Sequence, residues 1–221
     1  MRRKELALSV IRRLAEAYPD ADCTLDYDDA WKLLVSVRLA AQCTDARVNE
    51  IVPHLYEKYP SVKALAGADP DDIERIVRPC GLGRSKARDI SACMRVLEEQ
   101  YNGNVPDDFD ELLKLPGVGR KSANLVMGDV FGKPAIVTDT HCIRLANRIG
   151  LVKNEKDPGL PEKDPKKVEM QLWKIIPPEE GNAFCHRLVM HGREICTART
   201  KPYCDRCCLN DLCRSSFCKG E

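Results

Sequence analysis

Leu115-Pro116-Gly117-Val118-Gly119-Arg120-Lys121-Ser122-Ala123-Asn124 sets two glycines between helical segments, with two cations directly behind them. A chain uses glycine where it needs a positive φ or where its backbone must come close to a ligand. The helix that follows, from Lys121 to about Phe131, would present free N–H groups to whatever lies beyond the turn, and such a terminus suits a phosphate. A Gly-x-Gly by itself also serves as an ordinary interhelical turn. The flanks therefore carry the argument: Leu115 and Pro116 before the glycines, Arg120 and Lys121 after them.

Outward from that turn, almost every segment reads as helix, because apolar residues recur at three- and four-residue spacing. Leu6, Val10, Ile11 and Leu14 stripe the first helix. Trp31, Leu33, Leu34, Val35, Val37 and Leu39 are apolar nearly all round, which predicts a helix through the middle of a core. Thr44 or Asp45 can cap the next helix, and Pro53 inside it predicts a kink or an early end. Asp69-Pro70-Asp71-Asp72 combines a cap, a proline at the first helical position and acids in the first turn. Gly81-Leu82-Gly83 interrupts the pattern before a long helix over Ser85 to Tyr101. Asp139 can cap a helix that ends near Gly150, and Asp164-Pro165 opens one carrying Val168, Leu172 and Ile175. Pro177-Pro178 stops it, and a last helix runs toward Gly192. Residues 153–165, with Pro158, Gly159, Pro161 and Pro165, read as an exposed linker or loop. The fold class is all-α.

Composition agrees with that class. Of 221 residues, 43% are hydrophobic, 31% charged and 5% aromatic, a balance that suits a water-soluble helical protein better than a β-sandwich or a membrane span. Met1-Arg2-Arg3-Lys4-Glu5 runs straight into a charged helical pattern without a secretory leader's apolar core, so the expected setting is the cytoplasm. A net charge of +1 identifies no partner. Its distribution is more informative: residues 112–148 hold Lys114, Arg120, Lys121, Lys133, Arg144 and Arg148 against Asp129 and Asp139, a local +4. On one face these cations would bind phosphates; the bland reading is a solvated charged surface.

Twelve cysteines in a reducing compartment argue against a disulfide scaffold. Cys23, Cys43, Cys80, Cys93, Cys142 and Cys185 are isolated and read as small apolar residues. The other six crowd into residues 196–218. Beyond cysteine, residues 197–218 hold as apolar residues only Ala198, Tyr203, Leu209, Leu212 and Phe217, too few to fold by burial. Metal binding can supply the missing stabilisation.

With its leucine, proline and Arg-Lys flanks, the opening stretch has the pattern of a helix-hairpin-helix, which holds DNA backbone without reading sequence. LPGVGRKSAN at Leu115 to Asn124 resembles the hairpin of the endonuclease III family, and VTDTH at Val137 to His141 resembles its catalytic loop. The likeness extends to Ala41-Gln42-Cys43-Thr44-Asp45, to Gly81-Leu82-Gly83-Arg84-Ser85-Lys86-Ala87 and to His191-Gly192-Arg193, and so spans about residues 30–213. It implies a two-lobed helix-hairpin-helix DNA glycosylase fold. A helical-barrel lobe would occupy residues 23–133, and an iron-sulfur lobe residues 1–22 with 134–221, the active site lying in the cleft.

The resemblance further implies that Lys121 is the nucleophile and Asp139 the essential carboxylate of a glycosylase with strand-nicking lyase activity, acting on oxidised pyrimidines. Leu115, Gly117, Val118, Gly119 and Arg120 would hold DNA backbone, while Gln42 and Leu82 would fill the gap left by a flipped nucleotide. Read without the family, Lys121 is a phosphate-contacting surface lysine, Asp139 a helix cap and Gln42 a polar residue at a helix end. An ordinary lysine is charged at neutral pH, and a helix N-terminus disfavours that charge by only about 0.3–1 kcal/mol. Burial is therefore expected to supply most of what an attacking amine needs, with Arg120 a smaller contributor.

Cys196, Cys204, Cys207 and Cys213, spaced C-x7-C-x2-C-x5-C, come close to the C-x6-C-x2-C-x5-C set with which that family holds a 4Fe-4S cluster. Four thiolates also suit zinc. Cys208 and Cys218 are expected not to be ligands. The expected partner is double-stranded DNA containing damaged bases or abasic sites, engaged by a monomer in the nucleoid of a prokaryotic cell, with no membrane involved. Adenine-mismatch enzymes of the same fold usually lack the lysine, and 8-oxoguanine enzymes usually lack the cluster. A non-catalytic DNA-binding or iron-sulfur scaffold would need no paired lysine and aspartate.

Overall fold

The computed structural model describes residues 2–217. In order, its helices are α1 (Arg3–Ala17), α2 (Ala30–Leu39), α3 (Asp45–Lys58), α4 (Val62–Ala66), α5 (Pro70–Val77), α6 (Gly83–Tyr101), α7 (Phe109–Leu112), α8 (Arg120–Asp129), α9 (Thr140–Ile149), α10 (Pro165–Leu172) and α11 (Gly181–Glu194). No strand occurs among the described residues, so the all-α reading holds. No helix among them is long and apolar enough to cross a membrane. The chain divides into two compact units, Cys23–Gly132 and Met1–Asp22 with Lys133–Glu221.

The Cys23–Gly132 unit is built on α6, its 19-residue helix, with α4 and α5 packed against it and α2 against α8. Seven of the ten residues of α2 are buried, including Trp31, Leu33, Leu34 and Leu39, as an all-round apolar helix requires. Each large apolar side chain so buried contributes roughly 1.5–3 kcal/mol relative to exposure. Thr44 caps α3, its Oγ1 accepting from Arg47 N at 3.3 Å, and Asp69 caps α5 by accepting from Asp71 N at 2.9 Å. The early end expected at Pro53 does not occur: α3 continues to Lys58. Buried Val48, Ile51, Val52 and Leu55 hold the turns on both sides of the proline, which outweighs one missing hydrogen bond. Helix α6 begins at Gly83, two residues earlier than its pattern suggests.

The second unit combines α1, α9, α10 and α11 with the cysteine tail. Helix α1 buries Ala7, Val10, Ile11 and Leu14 and packs against α11. Asp164 caps α10 through Lys166 N (2.9 Å) and Lys167 N (3.2 Å), but that helix ends at Leu172; buried Ile175 lies in the turn that follows. Two glycines permit close packing around α11. A Cβ on Gly181 would lie 2.4 Å from the Ala135 carbonyl oxygen, and one on Gly192 would lie 2.5 Å from His141 Nδ1. His141 thus sits in the α9–α11 contact, half-buried. The tail closes onto α9: Arg214 N and Ser215 N donate to the carbonyls of Ile149 (3.2 Å) and Arg148 (3.1 Å), which the helix end leaves unpaired.

Candidate active site and cysteine centre

The hairpin between α7 and α8 is tied by two turn bonds, Leu115 N to Leu112 O (3.2 Å) and Val118 N to Leu115 O (3.1 Å), with Leu115 itself buried. Its two glycines do different things. Gly117 has φ +77°, and a Cβ there would come within 2.9 Å of Asp89 Cβ and 3.3 Å of Arg38 Cδ. Those two side chains form an ion pair between α2 and α6, Arg38 Nε donating to Asp89 Oδ2 at 2.8 Å, so the turn rests directly on it. Gly119 has φ −102°, and a Cβ there would meet nothing within 4 Å. It leaves the surface in front of α8 open.

Gly117→Ala is accordingly expected to destabilise the protein by roughly 2–4 kcal/mol, from the left-handed backbone and the clash together. Gly119→Ala should stay within about 0.5 kcal/mol. Urea unfolding of the two variants checks both values; equal losses would contradict the division of labour.

Gly119, the residue that precedes α8, provides no side-chain hydrogen bond to cap it. Arg120 stacks its guanidinium 4.8 Å above the Phe109 ring, joining the start of α8 to α7. Lys121 is exposed. The burial expected to favour its neutral amine is not supplied by the chain, because the residue stands on the first turn of a helix whose buried side begins at Ala123.

Asp139 is half-buried and caps α9, its Oδ1 accepting from Cys142 N at 2.7 Å. One carboxylate oxygen is thereby fixed, which leaves Oδ2 for another role. The loop behind it is rigidly seated: Ala135, Ile136, Val137 and Thr138 are all buried, and Val137 N donates to Cys185 Sγ at 3.2 Å.

Gln42 and Leu82 share a property that no sequence pattern announces. Both have left-handed backbones, φ +57° and +52°. The third such non-glycine residue among the described residues, Asn102, is the C-terminal cap of α6, where asparagine is at home. For glutamine and leucine the conformation costs about 1–2 kcal/mol each. Leu82 is also 54% exposed, and Gln42 is exposed. Strain at solvent-facing residues that gain no burial from it is the kind found where side chains are held ready for a ligand.

Cys196, Cys204, Cys207 and Cys213 line one cavity beneath α9 and α11, together with Leu145, Arg148, His191 and Leu209. Several donors reach the sulfurs: Arg148 Nη1 donates to Cys196 Sγ at 3.2 Å, and Leu209 N to Cys207 Sγ at 3.4 Å. His191 Nε2 lies 3.3 Å from Cys207 Sγ, and its Nδ1 lies 3.1 Å from the Tyr18 hydroxyl. Burial pushes the imidazole down to about 4 and the tyrosine up to about 12, so at neutral pH both are uncharged. A neutral imidazole offers one donor and one acceptor, so His191 links the Tyr18 hydroxyl to the Cys207 sulfur through its two ring nitrogens. Cys208 faces elsewhere: its carbonyl accepts from Arg13 Nη1 at 2.9 Å, beside the Arg13–Asp211 ion pair that fastens the tail to α1. Cys218 lies outside the described residues.

The basic stretch does not act as one surface. Arg144 Nη2 donates to the carbonyls of Gly192 (3.1 Å) and Cys196 (3.0 Å), Arg148 also holds the Thr197 carbonyl (2.9 Å), and Lys114 pairs with Glu111 at 2.6 Å. Positions 144 and 148 are four apart on α9 and both face the tail, so these arginines serve the cysteine centre rather than a phosphate surface. Net charge over a window could not separate the two uses.

Residues 35–178 match the model of the HhH-GPD superfamily of base excision DNA repair proteins. Endonuclease III of Synechocystis sp. is 42% identical over 97% of this chain and 94% of its own length, and that of Escherichia coli K12 is 38% identical over 95% of each. A trapped endonuclease III–DNA covalent intermediate has a similar structure, with a TM-score of 0.89 at 40% identity over 98% of both chains. A thermostable thymine-DNA glycosylase, at 24% identity and a TM-score of 0.81, shares the fold. The chain belongs to the endonuclease III family. It is a base-excision repair enzyme, a DNA glycosylase with abasic-site lyase activity.

Proposed function

We propose that the enzyme releases oxidised pyrimidines from duplex DNA and then nicks the strand, with Lys121 as nucleophile and Asp139 as the carboxylate that assists. The observation that carries this reading is the placement of Lys121: an exposed amine on the first turn of α8, directly behind a hairpin whose second glycine keeps the approach open. Backbone N–H groups there would hold a phosphate and set the neighbouring sugar against the amine. Leu115, Gly117, Val118, Gly119 and Arg120 form that phosphate-holding turn.

In the reaction, the Lys121 amine bonds to the anomeric carbon as the bond to the base breaks and the base leaves. The positive charge that develops on the sugar is stabilised by the Asp139 carboxylate. The attached nitrogen then gives up a proton and its lone pair opens the sugar ring, breaking the C1′–O4′ bond while O4′ takes a proton. The iminium so formed acidifies the adjacent C2′ proton, whose loss sends an electron pair toward C3′ and expels the 3′ phosphate. Lys121 is exposed in the free protein, so the bound duplex is what takes the amine out of water. Gln42 and Leu82 fill the space that the flipped nucleotide vacates.

Cys196, Cys204, Cys207 and Cys213 are the proposed ligands of a 4Fe-4S cluster. Their convergence on one cavity with donors aimed at sulfur suits thiolate ligation. Zinc fits less well. Tetrahedral Zn–S bonds of about 2.3 Å would bring the sulfurs to about 3.8 Å from one another, yet among the described residues no three of these sulfurs lie within 4.8 Å of each other. A larger inorganic core accommodates that spread, and the cluster would order the tail.

Incubation with duplex DNA carrying a single thymine glycol tests the reading. The expected products are free thymine glycol and a strand cut on the 3′ side of the lesion; base release that leaves the strand intact would contradict it.

A further inference from the structure

Lys86 is fully buried, one of the largest side chains so buried among the described residues. It lies on α6 in register with Ile90, Met94 and Leu97, a position that an amphipathic helix gives to an apolar residue. A buried ammonium persists only where hydrogen bonds compensate it. Here Nζ donates to the carbonyls of Leu39 (2.7 Å) and Cys80 (2.8 Å). Leu39 is the last residue of α2, three before Gln42; Cys80 ends the 3-10 turn, two before Leu82. The lysine's own backbone N–H also donates to the Leu82 carbonyl at 3.0 Å. One side chain thus bridges the two segments whose tips carry the strained backbones of Gln42 and Leu82.

We propose that Lys86 is a positioning residue that fixes the Gln42 and Leu82 segments relative to each other, so that both side chains enter the duplex at one lesion. The inference rests on the reading of Gln42 and Leu82 as gap fillers. It explains why an ammonium stands where leucine or methionine would pack at lower cost. Either carbonyl alone could be satisfied by an ordinary turn. Only a long side chain with several N–H donors reaches both.

The test is a mutant cycle on the full-length holoprotein, with two readouts: excision of thymine glycol from a duplex, and fluorescence of 2-aminopurine placed opposite a reduced abasic-site analogue, which reports insertion into the stack. Lys86→Met is expected to lower excision of thymine glycol from the duplex about tenfold and to abolish the fluorescence change. In a Gln42→Ala/Leu82→Ala background, the same substitution should add less than about twofold, because the segments it aligns no longer carry anything to insert. If Lys86→Met does not fold, Lys86→Gln, which retains amide donors on a shorter stem, runs the same cycle under the same criteria. A further tenfold loss in the double-alanine background would show that Lys86 acts only through general stability and would overturn the proposal. Should the double-alanine protein itself insert and excise normally, the gap-filling reading fails first, and that outcome is visible without any Lys86 variant.

Discussion

Asp139→Asn is expected to lower base release and strand nicking together by roughly 10²–10⁴-fold, while Tm moves by no more than about 2 °C. The separation follows from the geometry. Asp139 Oδ1 caps α9 through Cys142 N at 2.7 Å, and asparagine caps a helix about as well as aspartate, since its side-chain oxygen accepts the same bond. What the substitution removes is the negative charge, which the cap does not need and a developing sugar cation does. The buried run from Ala135 to Thr138 and the bond from Val137 N to Cys185 Sγ keep the loop in place in either protein. A parallel drop in Tm and activity would return Asp139 to the role of a cap. Activity within about threefold of wild type would remove it from the chemistry.

The second large effect concerns the tail. Cys204→Ser is expected to abolish visible absorption, to lose iron and acid-labile sulfide from anaerobically purified protein, and to weaken duplex DNA binding by more than about tenfold. The size of the effect comes from how little else holds this segment. Of its apolar residues, Leu209 is buried, but Tyr203 is 43% and Phe217 64% exposed. Thiolate–metal bonds of the order of 10 kcal/mol in total stand in for the missing core. Cys208→Ser should retain colour and metal, because Cys208 does not line the cavity and its segment is fastened through Arg13. A colourless wild-type protein containing one zinc would overturn the assignment, as would loss of the cluster from the Cys208 variant with retention in the Cys204 variant.

Local signals were the legible part of this protein. Thr44, Asp69, Asp139 and Asp164 all cap the helices their positions suggest, because a cap is decided by a few adjacent residues. The all-round apolar α2 could be read as a core helix for a similar reason. The early end that Pro53 could impose is absent because core contacts on both sides of it, which are tertiary, carry the helix on to Lys58. The hairpin was legible as a turn, but only packing against Asp89 and Arg38 distinguishes Gly117 from Gly119. Arg144 and Arg148 were counted with the phosphate-binding charges, since spacing along α9 does not tell which neighbour an arginine meets. Their partners, the Cys196 sulfur and the carbonyls around it, lie almost fifty residues away.

Lys86 is the sharpest case. Within Gly81 to Ala87 it is an unremarked lysine, and lysines usually lie on solvated helix faces. The available signal was its register with Ile90, Met94 and Leu97, which puts a cation on an apolar stripe. Nothing local, however, names Leu39 as its partner 47 residues earlier. The left-handed backbones of Gln42 and Leu82 were equally hidden, because neither residue type favours that conformation.

A covalent bond between Lys121 and the damaged nucleotide is open to capture by borohydride reduction during turnover. On duplex DNA containing thymine glycol or an abasic site, the wild-type protein is expected to give a stable protein–DNA adduct that migrates slowly in a denaturing gel, with the linkage mapping to Lys121. Lys121→Ala should still bind the duplex, since the turn and its backbone N–H groups are unchanged, but should give no adduct. Base release by the wild-type protein without any trapped adduct, or an undiminished adduct from Lys121→Ala, would contradict the account.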